Sequence, residues 1–181
     1  MKIFIASDIH GSAYFCEKLL EAFKREEADR ILLLGDILYH GPRNDLPQGY
    51  NPKEVIEMLN QYSDIIVSVR GNCDSEVDQM VLNFPILADY TLLFNNKTTI
   101  FVTHGHIYNL QNMPKIKQGD ILLHGHTHVT ACEKTESGAY YLNPGSVSSP
   151  KENTKNGYMI FENGEFIWKD LEGEIINRLT V

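Results

Sequence analysis

The sequence has little cysteine and no pattern that would use it structurally. Its three cysteines, Cys16, Cys73 and Cys132, are widely separated, and none belongs to a C-x-x-C pair. A disulfide framework and a thiolate zinc site are therefore not expected. The chain also lacks the long apolar region of a secretory leader and any apolar run long enough to span a bilayer. These absences predict a cytoplasmic protein with no membrane partner.

An excess of basic charge is absent as well. The chain has 16 Lys and Arg against 24 Asp and Glu, which gives a formal net charge of -8 and a pI near 5.3. A protein that follows a long polyanion usually carries a broad basic surface, so we expect no long nucleic acid as a partner. A small phosphorylated substrate fits this charge better.

Two common motifs of phosphate and acyl chemistry are missing. No G-x-x-x-x-G-K-[ST] segment occurs, which excludes the P-loop kinases and NTPases. No G-x-S-x-G segment occurs either, and Ser146 follows Pro144-Gly145 without the flanking residues of a nucleophile elbow. Serine-hydrolase chemistry is therefore unsupported.

The chain is long enough for one substantial core. With 181 residues and 43% hydrophobic content, it predicts a single domain over residues 1–181. Apolar runs predict strands over residues 2–6, 31–34 and 64–69, and 3.6-residue periodicity predicts helices over 14–24 and 52–59, with Ser12 and Pro52 at their starts. From about residue 86 the pattern changes to strands joined by turns at 95–96, 136–138 and 163–164. We expect an α/β fold of two mixed sheets packed face to face, with helices outside.

Metal-competent side chains follow several of the strand-like runs. The carboxyl ends of parallel strands meet at one edge of a sheet, so residues far apart in sequence are expected to come together there. Carboxylate and imidazole ligands with one neutral amide oxygen suit divalent ions such as Mn, Fe or Zn. The candidate ligands are Asp8, His10, Asp36, Asn72, His104, His126 and His128.

Two ions held by this set would perform phosphoryl hydrolysis. A carboxylate has two oxygens and can bridge two ions, and Asp36 is the candidate bridge. Two metals can clamp the attacking and leaving oxygens of a displacement at phosphorus, and can lower the pKa of a bound water so that hydroxide becomes the nucleophile. Glycines beside the ligands, such as Gly71 and Gly125, would allow the backbone to approach closely.

The order of these blocks resembles a known family. D-x-H at 8–10, G-D at 35–36, G-N-x-D at 71–74, H-G-H at 104–106 and G-H-T-H at 125–128 look like the motifs of the calcineurin-like metallophosphoesterases. Segments 40–44, 71–78 and 143–147 are similar to the bacterial YfcE-type phosphodiesterases. The resemblance implies a four-layer α/β/β/α sandwich, manganese as the working metal with Fe, Zn or Ni as alternatives, and a homo-oligomer, either a dimer or a tetramer.

The resemblance also implies how the ligands divide between the two ions. One ion would take Asp8, His10, Asp36 and His128, and the other would take Asp36, Asn72, His104 and His126.

One position departs from the wider superfamily, where a histidine that serves as general acid follows the ligand asparagine. Here Cys73 stands in that place, and a thiol with a pKa near 8.5 is a poor acid at neutral pH. Either another group protonates the leaving group, or the substrate is an activated diester. We expect Cys73 itself to be a small space-filling side chain beneath the site. His106 and Asp74 are candidates to replace the acid, and His40 and Arg43 are candidates to contact phosphate.

Two other functions stay open at this stage. A phosphomonoesterase would use the same metal chemistry. A non-catalytic interaction scaffold is the alternative from another class, because the retromer scaffold subunit of eukaryotes resembles this fold. The competent side chain at every ligand position favours an enzyme that hydrolyses small or activated phosphodiesters.

Overall fold

The first half of the chain builds one sheet from parallel strands and crossover helices. The structure is a computed structural model that describes residues 1–181. Strands β1, β2 and β3 pair in parallel, and helices α1 and α2 lie between them in sequence. The bounds are β1 Ile3–Ala6, α1 Ala13–Glu26, β2 Arg30–Leu33, α2 Pro52–Asn60 and β3 Ile66–Ser68. The predicted β-α-β-α-β order is therefore confirmed, with β3 shorter than expected.

Local sequence signals set the ends of helix α1. The Ser12 side chain accepts a hydrogen bond from the Phe15 backbone N–H at 3.1 Å, as expected of an N-cap. Glu27 ends the helix in the left-handed conformation, with φ of 50°, so the helix runs two residues beyond the predicted end at residue 24. Cys16, Leu19 and Phe23 lie on its buried face. The interpretation of Cys16 as a core residue is confirmed.

The second half is almost entirely strands. A short helix, α3 (Glu76–Gln79), precedes them. The strands are β4 Tyr90–Asn95, β5 Thr98–Thr103, β6 Ile121–Leu123, β7 Thr130–Lys134, β8 Tyr140–Pro144, β9 Gly157–Glu162, β10 Glu165–Asp170 and β11 Ile175–Thr180. The predicted turns at 95–96, 136–138 and 163–164 connect β4 to β5, β7 to β8 and β9 to β10.

Two mixed sheets result, as the sequence predicts. Sheet A has the order β11-β10-β9-β1-β2-β3, and sheet B has the order β4-β5-β6-β8-β7. An apolar core between them contains Ile5, Val102 and Trp168, all essentially buried. Phe166 and Trp168 are thus packing residues of this core. Helices α1 and α2 cover the other face of sheet A through residues such as Leu19.

The outer face of sheet B is covered without a helix. Its buried residues Phe101, Leu122 and Tyr141 pack against Tyr108 and other residues of the segment 105–120, which contains no helical turn. The Asn109 side chain accepts hydrogen bonds from two nearby backbone N–H groups, at 2.9 and 3.0 Å. Such local bonds compete with helix formation, so this fourth layer is an irregular segment. No helix in the chain is long and apolar enough to cross a membrane.

Candidate metal centre

The strand ends bring the predicted ligands together at one edge of the two sheets. Asp8 and His10 follow β1, Asp36 follows β2 and His104 follows β5. The remaining candidates, Asn72, His126 and His128, lie in the loops after β3 and β6. All seven therefore occupy the carboxyl ends of parallel strands, where α/β sheets place their binding groups.

Several of these residues have an unusual backbone conformation. Asp8, His10, Asp36, His126 and His128 all have positive φ, between 50° and 66°. This left-handed region is uncommon for residues other than glycine, and each instance costs of order 1–3 kcal/mol. Backbone hydrogen bonds from Asp8 N–H to the Gly35 carbonyl and from His10 N–H to the Asp36 carbonyl, at 3.1 and 2.9 Å, hold the loops in place. Such concentrated strain is typical of a functional site.

Three of the side chains form a first group. The Nε2 atoms of His10 and His128 lie 3.1 Å apart, and the Asp8 Oδ1 atom lies 3.5 and 3.2 Å from them, respectively. This Oδ1 atom is buried and has no hydrogen-bond partner. A buried carboxylate oxygen without a donor is costly unless a cation neutralises it, so the group fits a metal ion.

A second group lies beside the first. His104 Nε2 is 3.1 Å from Asn72 Oδ1, 3.2 Å from His126 Nδ1 and 3.4 Å from Asp36 Oδ2. Carboxylate, amide and imidazole atoms thus converge on one place, which is a suitable donor set for a divalent ion. The Cys73 sulfur also lies within 4.8 Å of the ligand atoms of His10 and Asp36, but the raised pKa of this thiol disfavours a thiolate ligand.

Asp36 connects the two groups. Its Oδ2 atom lies 3.7 Å from His10 Nε2 in the first group and 3.4 Å from His104 Nε2 in the second. Its Oδ1 atom accepts a hydrogen bond from the Cys73 backbone N–H at 2.8 Å. The carboxylate is therefore fixed in orientation and reaches both groups, as a bridging ligand must.

Backbone carbonyls orient three of the imidazole rings. The Nδ1 atoms of His10, His104 and His128 lie 2.7–2.8 Å from the carbonyl oxygens of Tyr39, Leu34 and Ser149, respectively. A carbonyl only accepts, so each Nδ1 carries a proton and each Nε2 faces the site, where it can ligate a metal once it has lost any proton of its own. This arrangement, in which one ring nitrogen is held and the other is free to ligate, is usual for metal-binding histidines.

The electrostatics of the cluster match a cation site. Burial alone would raise the pKa of Asp8, but contacts with the His10 and His128 rings outweigh it and hold that pKa well below its ordinary value. Burial alone would lower the pKa of His104, but the nearby Asp36 carboxylate raises it to about 9. Burial together with the neighbouring His104 ring lowers the pKa of His126 to about 4. The carboxylates are therefore ionised and are neutralised in part by protons on the neighbouring histidine rings. A divalent cation that binds here would displace these protons.

Two glycines allow the backbone to approach the ligands. A Cβ atom on Gly71 would collide with the Asp36 carboxylate and backbone, and a Cβ atom on Gly125 would collide with the Ser7 hydroxyl. The expectation that these glycines have a steric role is confirmed.

The four other predicted site residues lie in different surroundings. Arg43 lines a cavity of about 390 Å³ that opens on Asp36, Asn72 and His128. His106 is half-buried beside His104, with ring centroids 5.4 Å apart and no partner for its Nδ1 atom. Burial and the nearby His104 lower its pKa. Arg43 and His106 are thus within or beside the site.

Asp74 and His40 are not among the residues that line this cavity. Asp74 is buried, and its oxygens accept hydrogen bonds from the backbone N–H groups of Asp36, Ile37 and Gly71 at 2.7–2.9 Å. This carboxylate holds the loops that carry the ligands, and its oxygens are already occupied by backbone donors. The His40 ring packs edge-on against Tyr39 and Tyr50, with centroids 4.8 and 5.3 Å apart.

Cys73 separates the cluster from an apolar cavity. Its thiol receives a hydrogen bond from the Asn72 amide at 3.2 Å and lines a cavity of about 420 Å³ together with Tyr39, Tyr50 and Val77. Burial and the negative charge of Asp36 raise the pKa of Cys73 to about 12. This thiol is therefore a worse acid than the free side chain, and a space-filling role fits its position.

Sequence reasoning missed three residues that line the cavity beside the metal ligands, namely Asn44, Thr127 and Lys151. Lys151 follows the segment 143–147, and its backbone N–H donates to the His128 carbonyl at 3.0 Å. In the same region, the hydroxyls of Ser146 and Ser148 both donate to the Asp8 carbonyl, at 2.9 and 3.1 Å. The similarity of segment 143–147 to the YfcE-type proteins was the signal that could have directed attention there.

The two-sheet sandwich, with Asp, Asn and His side chains gathered at the strand ends, defines a metallophosphoesterase fold and site. The chain belongs to the calcineurin-like phosphoesterase superfamily, whose domain matches residues 1–165. It is 46% identical over 163 residues to phosphodiesterase YfcE of Escherichia coli, covering 90% of this chain and 88% of that protein. A phosphodiesterase from Methanocaldococcus jannaschii is 26% identical over 153 residues, covering 80% of this chain and 83% of that protein.

Solved structures agree with this assignment. The structure of the E. coli YfcE phosphoesterase superposes with a TM-score of 0.95 and 43% identity, covering 99% of each chain. Vacuolar Protein Sorting 29 from Cryptosporidium parvum has a TM-score of 0.61 at 17% identity, covering 99% of this chain and 98% of that one. The second likeness concerns the fold alone.

Proposed function

We propose that this protein is a phosphodiesterase that uses two divalent metal ions and acts on small or activated phosphodiesters. The observation that carries the proposal is the pair of donor groups joined by the Asp36 carboxylate, whose Oδ2 atom lies 3.7 Å from His10 Nε2 and 3.4 Å from His104 Nε2. The 46% identity to phosphodiesterase YfcE supports the choice of a diester.

The ligands divide between two ions. Asp8, His10, Asp36 and His128 would hold one, and Asp36, Asn72, His104 and His126 would hold the other. When bound, the two ions supply Lewis-acid activation of water and neutralise charge on the phosphate. Manganese is the proposed metal on the resemblance to the YfcE-type phosphodiesterases, and the carboxylate, amide and imidazole donor set also suits Fe, Zn or Ni.

The protein's own residues would bind and orient the phosphate. The cavity of about 390 Å³ beside the metal ligands has no hydrophobic lining residue and carries the cationic side chains of Arg43 and Lys151. Arginine presents a planar fork of donors that matches two phosphate oxygens, and lysine adds a point charge. This local positive charge allows a chain with net charge -8 to accept an anionic substrate. The volume suits a small diester.

The remaining candidates take different roles. We place His106 beside the substrate, because its half-buried ring packs next to that of the ligand candidate His104. Asp74 positions the ligand loops through its three backbone hydrogen bonds, and His40 supports the loop that carries Arg43. Cys73 supplies no proton to a leaving group, so esters with good leaving groups are the expected substrates.

The alternatives make different predictions about substrate and metal. A phosphomonoesterase would have the higher kcat/KM on the monoester of a matched aryl pair, whereas our proposal expects the diester to be preferred. A non-catalytic scaffold would turn over neither ester. The full set of competent donors in the two groups favours the enzyme.

The test is a comparison of bis-aryl and mono-aryl phosphate hydrolysis by manganese-loaded protein, followed by a screen of cyclic nucleotides and dinucleotides. Preference for the monoester would replace the diesterase proposal. Absence of turnover combined with negligible metal uptake would favour the scaffold.

We place the protein in the reducing cytoplasm, which the three free cysteines support. Residues 1–181 act as one domain, because both sheets share a single apolar core. A homo-oligomer, a dimer or a tetramer, is proposed from the resemblance to the YfcE-type proteins.

A further inference from the structure

Two cavities of different chemistry lie next to the candidate metal centre. The phosphate cavity, of about 390 Å³, contains Arg43 and has no hydrophobic lining residue. The apolar cavity, of about 420 Å³, is lined mainly by hydrophobic residues and includes Tyr39, Tyr50, Cys73 and Val77. Ligand sites usually combine an apolar wall with a few polar groups that fix the orientation of the ligand. The phosphate cavity supplies only the polar part of such a site.

The walls of the apolar cavity are bonded directly to candidate metal ligands. The Tyr39 backbone carbonyl accepts a hydrogen bond from His10 Nδ1 at 2.8 Å, and the Cys73 backbone N–H donates to Asp36 Oδ1 at 2.8 Å. Cys73 also directly follows Asn72, which lines the phosphate cavity. Consecutive Cα atoms are about 3.8 Å apart, so the two cavities are adjacent. A group attached to a phosphate at the metal centre can therefore reach the apolar cavity.

The charges of the two cavities select different parts of a substrate. Arg43 and Lys151 line the phosphate cavity, whereas the charged side chain of the apolar cavity is Asp78. The Asp78 Oδ2 atom accepts hydrogen bonds from the Ser75 hydroxyl and backbone N–H, both at 2.8 Å, so this carboxylate is held in place. It repels an anionic group, because like charges interact unfavourably. The apolar cavity is therefore suited to an uncharged part of the substrate.

The aromatic residues of the apolar cavity favour a flat ring. The His40 ring packs edge-on against the rings of Tyr39 and Tyr50, with centroids 4.8 and 5.3 Å apart, and so supports both. Tyr39 remains 42% exposed, which leaves part of its ring free for contact. Aromatic pairs gain stability beyond the area that they bury. A cavity of roughly 150 Å³ can hold benzene, so one of about 420 Å³ has room for a single or a fused ring.

We propose that the apolar cavity binds an aromatic ester group of the substrate, and that Tyr39, Tyr50 and Val77 determine the preference for such a group. This inference rests on the proposed phosphodiesterase function and narrows its substrate class. One of the two groups esterified to phosphorus carries an uncharged aromatic ring, as in an aryl ester or a nucleoside ester. The phosphate itself stays with the metal ions and Arg43.

The test is direct binding of matched, non-hydrolysable ligands to the manganese-loaded, full-length protein, measured by calorimetry. Phenylphosphonate and methylphosphonate carry the same anionic group and differ only in the ring. Partial burial of the phenyl ring should make phenylphosphonate bind roughly tenfold more tightly. The ratio of the two Kd values cancels any change in the binding of the phosphonate group, so it reports on the ring alone.

Two variants remove apolar surface from separate segments of the cavity wall. Tyr39 and Val77 are 42% and 69% exposed, so Tyr39→Ala and Val77→Asn should both fold. We expect each variant to reduce the tenfold preference to roughly threefold or less. Tyr14→Ala is the matched control, because Tyr14 is a tyrosine of similar exposure, 38%, that does not line this cavity. A wild-type preference that both variants keep would overturn the assignment to this cavity.

A second ligand pair separates the two sources of the ring. Deoxyadenosine 5′-monophosphate and deoxyribose 5-phosphate differ only in the base. A nucleotide preference that Tyr39→Ala reduces would assign the apolar cavity to a nucleobase, and a preference confined to the phosphonate pair would assign it to a simple aryl group. Equal Kd values within both pairs would overturn the proposal.

The same protein preparation is assayed for hydrolysis of an aryl phosphodiester, which separates this inference from the proposed function. Turnover together with equal Kd values would remove the aromatic site alone. Absence of turnover would remove the phosphodiesterase function on which the inference rests.

Discussion

The Nε2 atoms of His10 and His128 lie 3.1 Å apart although each ring donates its Nδ1 proton to a backbone carbonyl. Two neutral imidazoles in this arrangement point lone pairs at each other, which is unfavourable without a cation or a shared proton between them. The fold imposes this approach from β1 and from the loop after β6, residues more than a hundred positions apart. The relationship is therefore best explained as a preformed half of a metal site.

Metal binding is expected to stabilise the folded protein through this pair. At a metal concentration of 100 times Kd, binding contributes about 2.7 kcal/mol, which corresponds to a rise in Tm of roughly 5–10 °C for a chain of this length. We expect His10→Ala and His128→Ala to lose most of this gain, as measured by thermal unfolding with Mn²⁺ and with EDTA. His40→Ala is the control and should retain it. A full gain in His10→Ala would remove that residue from the ligand set.

Asp74 is expected to act by positioning. In Asp74→Asn an amide NH₂ replaces an oxygen that accepts from a backbone N–H, so we expect a loss of about 1–3 kcal/mol in the free energy of unfolding, measured with urea. Because Asp74 holds the backbone of Asp36, the metal affinity should fall as well. Excess Mn²⁺ should restore much of the lost activity. A proton donor would behave differently, since added metal would not rescue its loss.

Arg43 is expected to contribute to substrate binding. A charge-assisted hydrogen bond is worth about 1.5–3 kcal/mol, so Arg43→Ala should raise KM for an aryl phosphodiester by roughly ten- to a hundredfold. Arg43→Lys should recover part of this, because the charge is kept and the fork is lost. Arg30→Ala, which removes an exposed arginine on β2, is the control. Unchanged KM in Arg43→Ala would mean that the guanidinium does not reach the phosphate.

A partly buried ion pair outside the site predicts a pH-dependent contribution to stability. Glu26 on α1 accepts hydrogen bonds from Lys169 Nζ and the Tyr158 hydroxyl, both at 2.7 Å. Burial alone would raise the pKa of Glu26, but these contacts outweigh it and lower the pKa below its ordinary value of 4.5. A carboxyl whose pKa is lowered by folding stabilises the protein fully above its unfolded pKa, and this stabilisation is lost as the pH falls towards the folded value.

Glu26→Gln should therefore cost about 0.5–1.5 kcal/mol in the free energy of unfolding at pH 7, because the pair is partly screened by solvent. The difference from the wild type should shrink as the pH falls below about 4.5. Urea unfolding of both proteins across this range measures the effect, and Glu21→Gln, at an exposed position of the same helix, serves as the control. A difference that stays constant with pH would show that the ion pair contributes nothing.

The sequence predicted the features that depend on local chemistry and strand order. Ser12 precedes a helical pattern, and a serine in that position caps a helix through its own side chain. Asp8 and Asp36 each follow a short apolar run, which is typical of buried parallel strands. Once parallel strands are assigned, their carboxyl ends must meet, so the proximity of the ligands follows. Two mixed sheets also follow from the change from helix-like to alternating patterns near residue 86.

Other features required the three-dimensional structure. The role of Asp74 depends on three N–H groups from two loops, whose approach no spacing reveals. Lys151 lines the cavity because its backbone is bonded to His128, a contact between distant loops. Sheet B is covered by an irregular segment in which Asn109 accepts two backbone hydrogen bonds, and the identity of the edge strands depends on the order of all five strands in that sheet.

The most direct measurement of the central claim is the Mn²⁺ dependence of aryl phosphodiester hydrolysis by metal-stripped wild-type protein and by Asp36→Ala. If Asp36 joins two metal sites, hydrolysis by the wild type should rise from background on Mn²⁺ addition and saturate with two ions bound per chain. The Asp36→Ala protein should bind fewer ions and remain near background. Wild-type hydrolysis that is independent of Mn²⁺, or undiminished turnover by Asp36→Ala, would contradict the account.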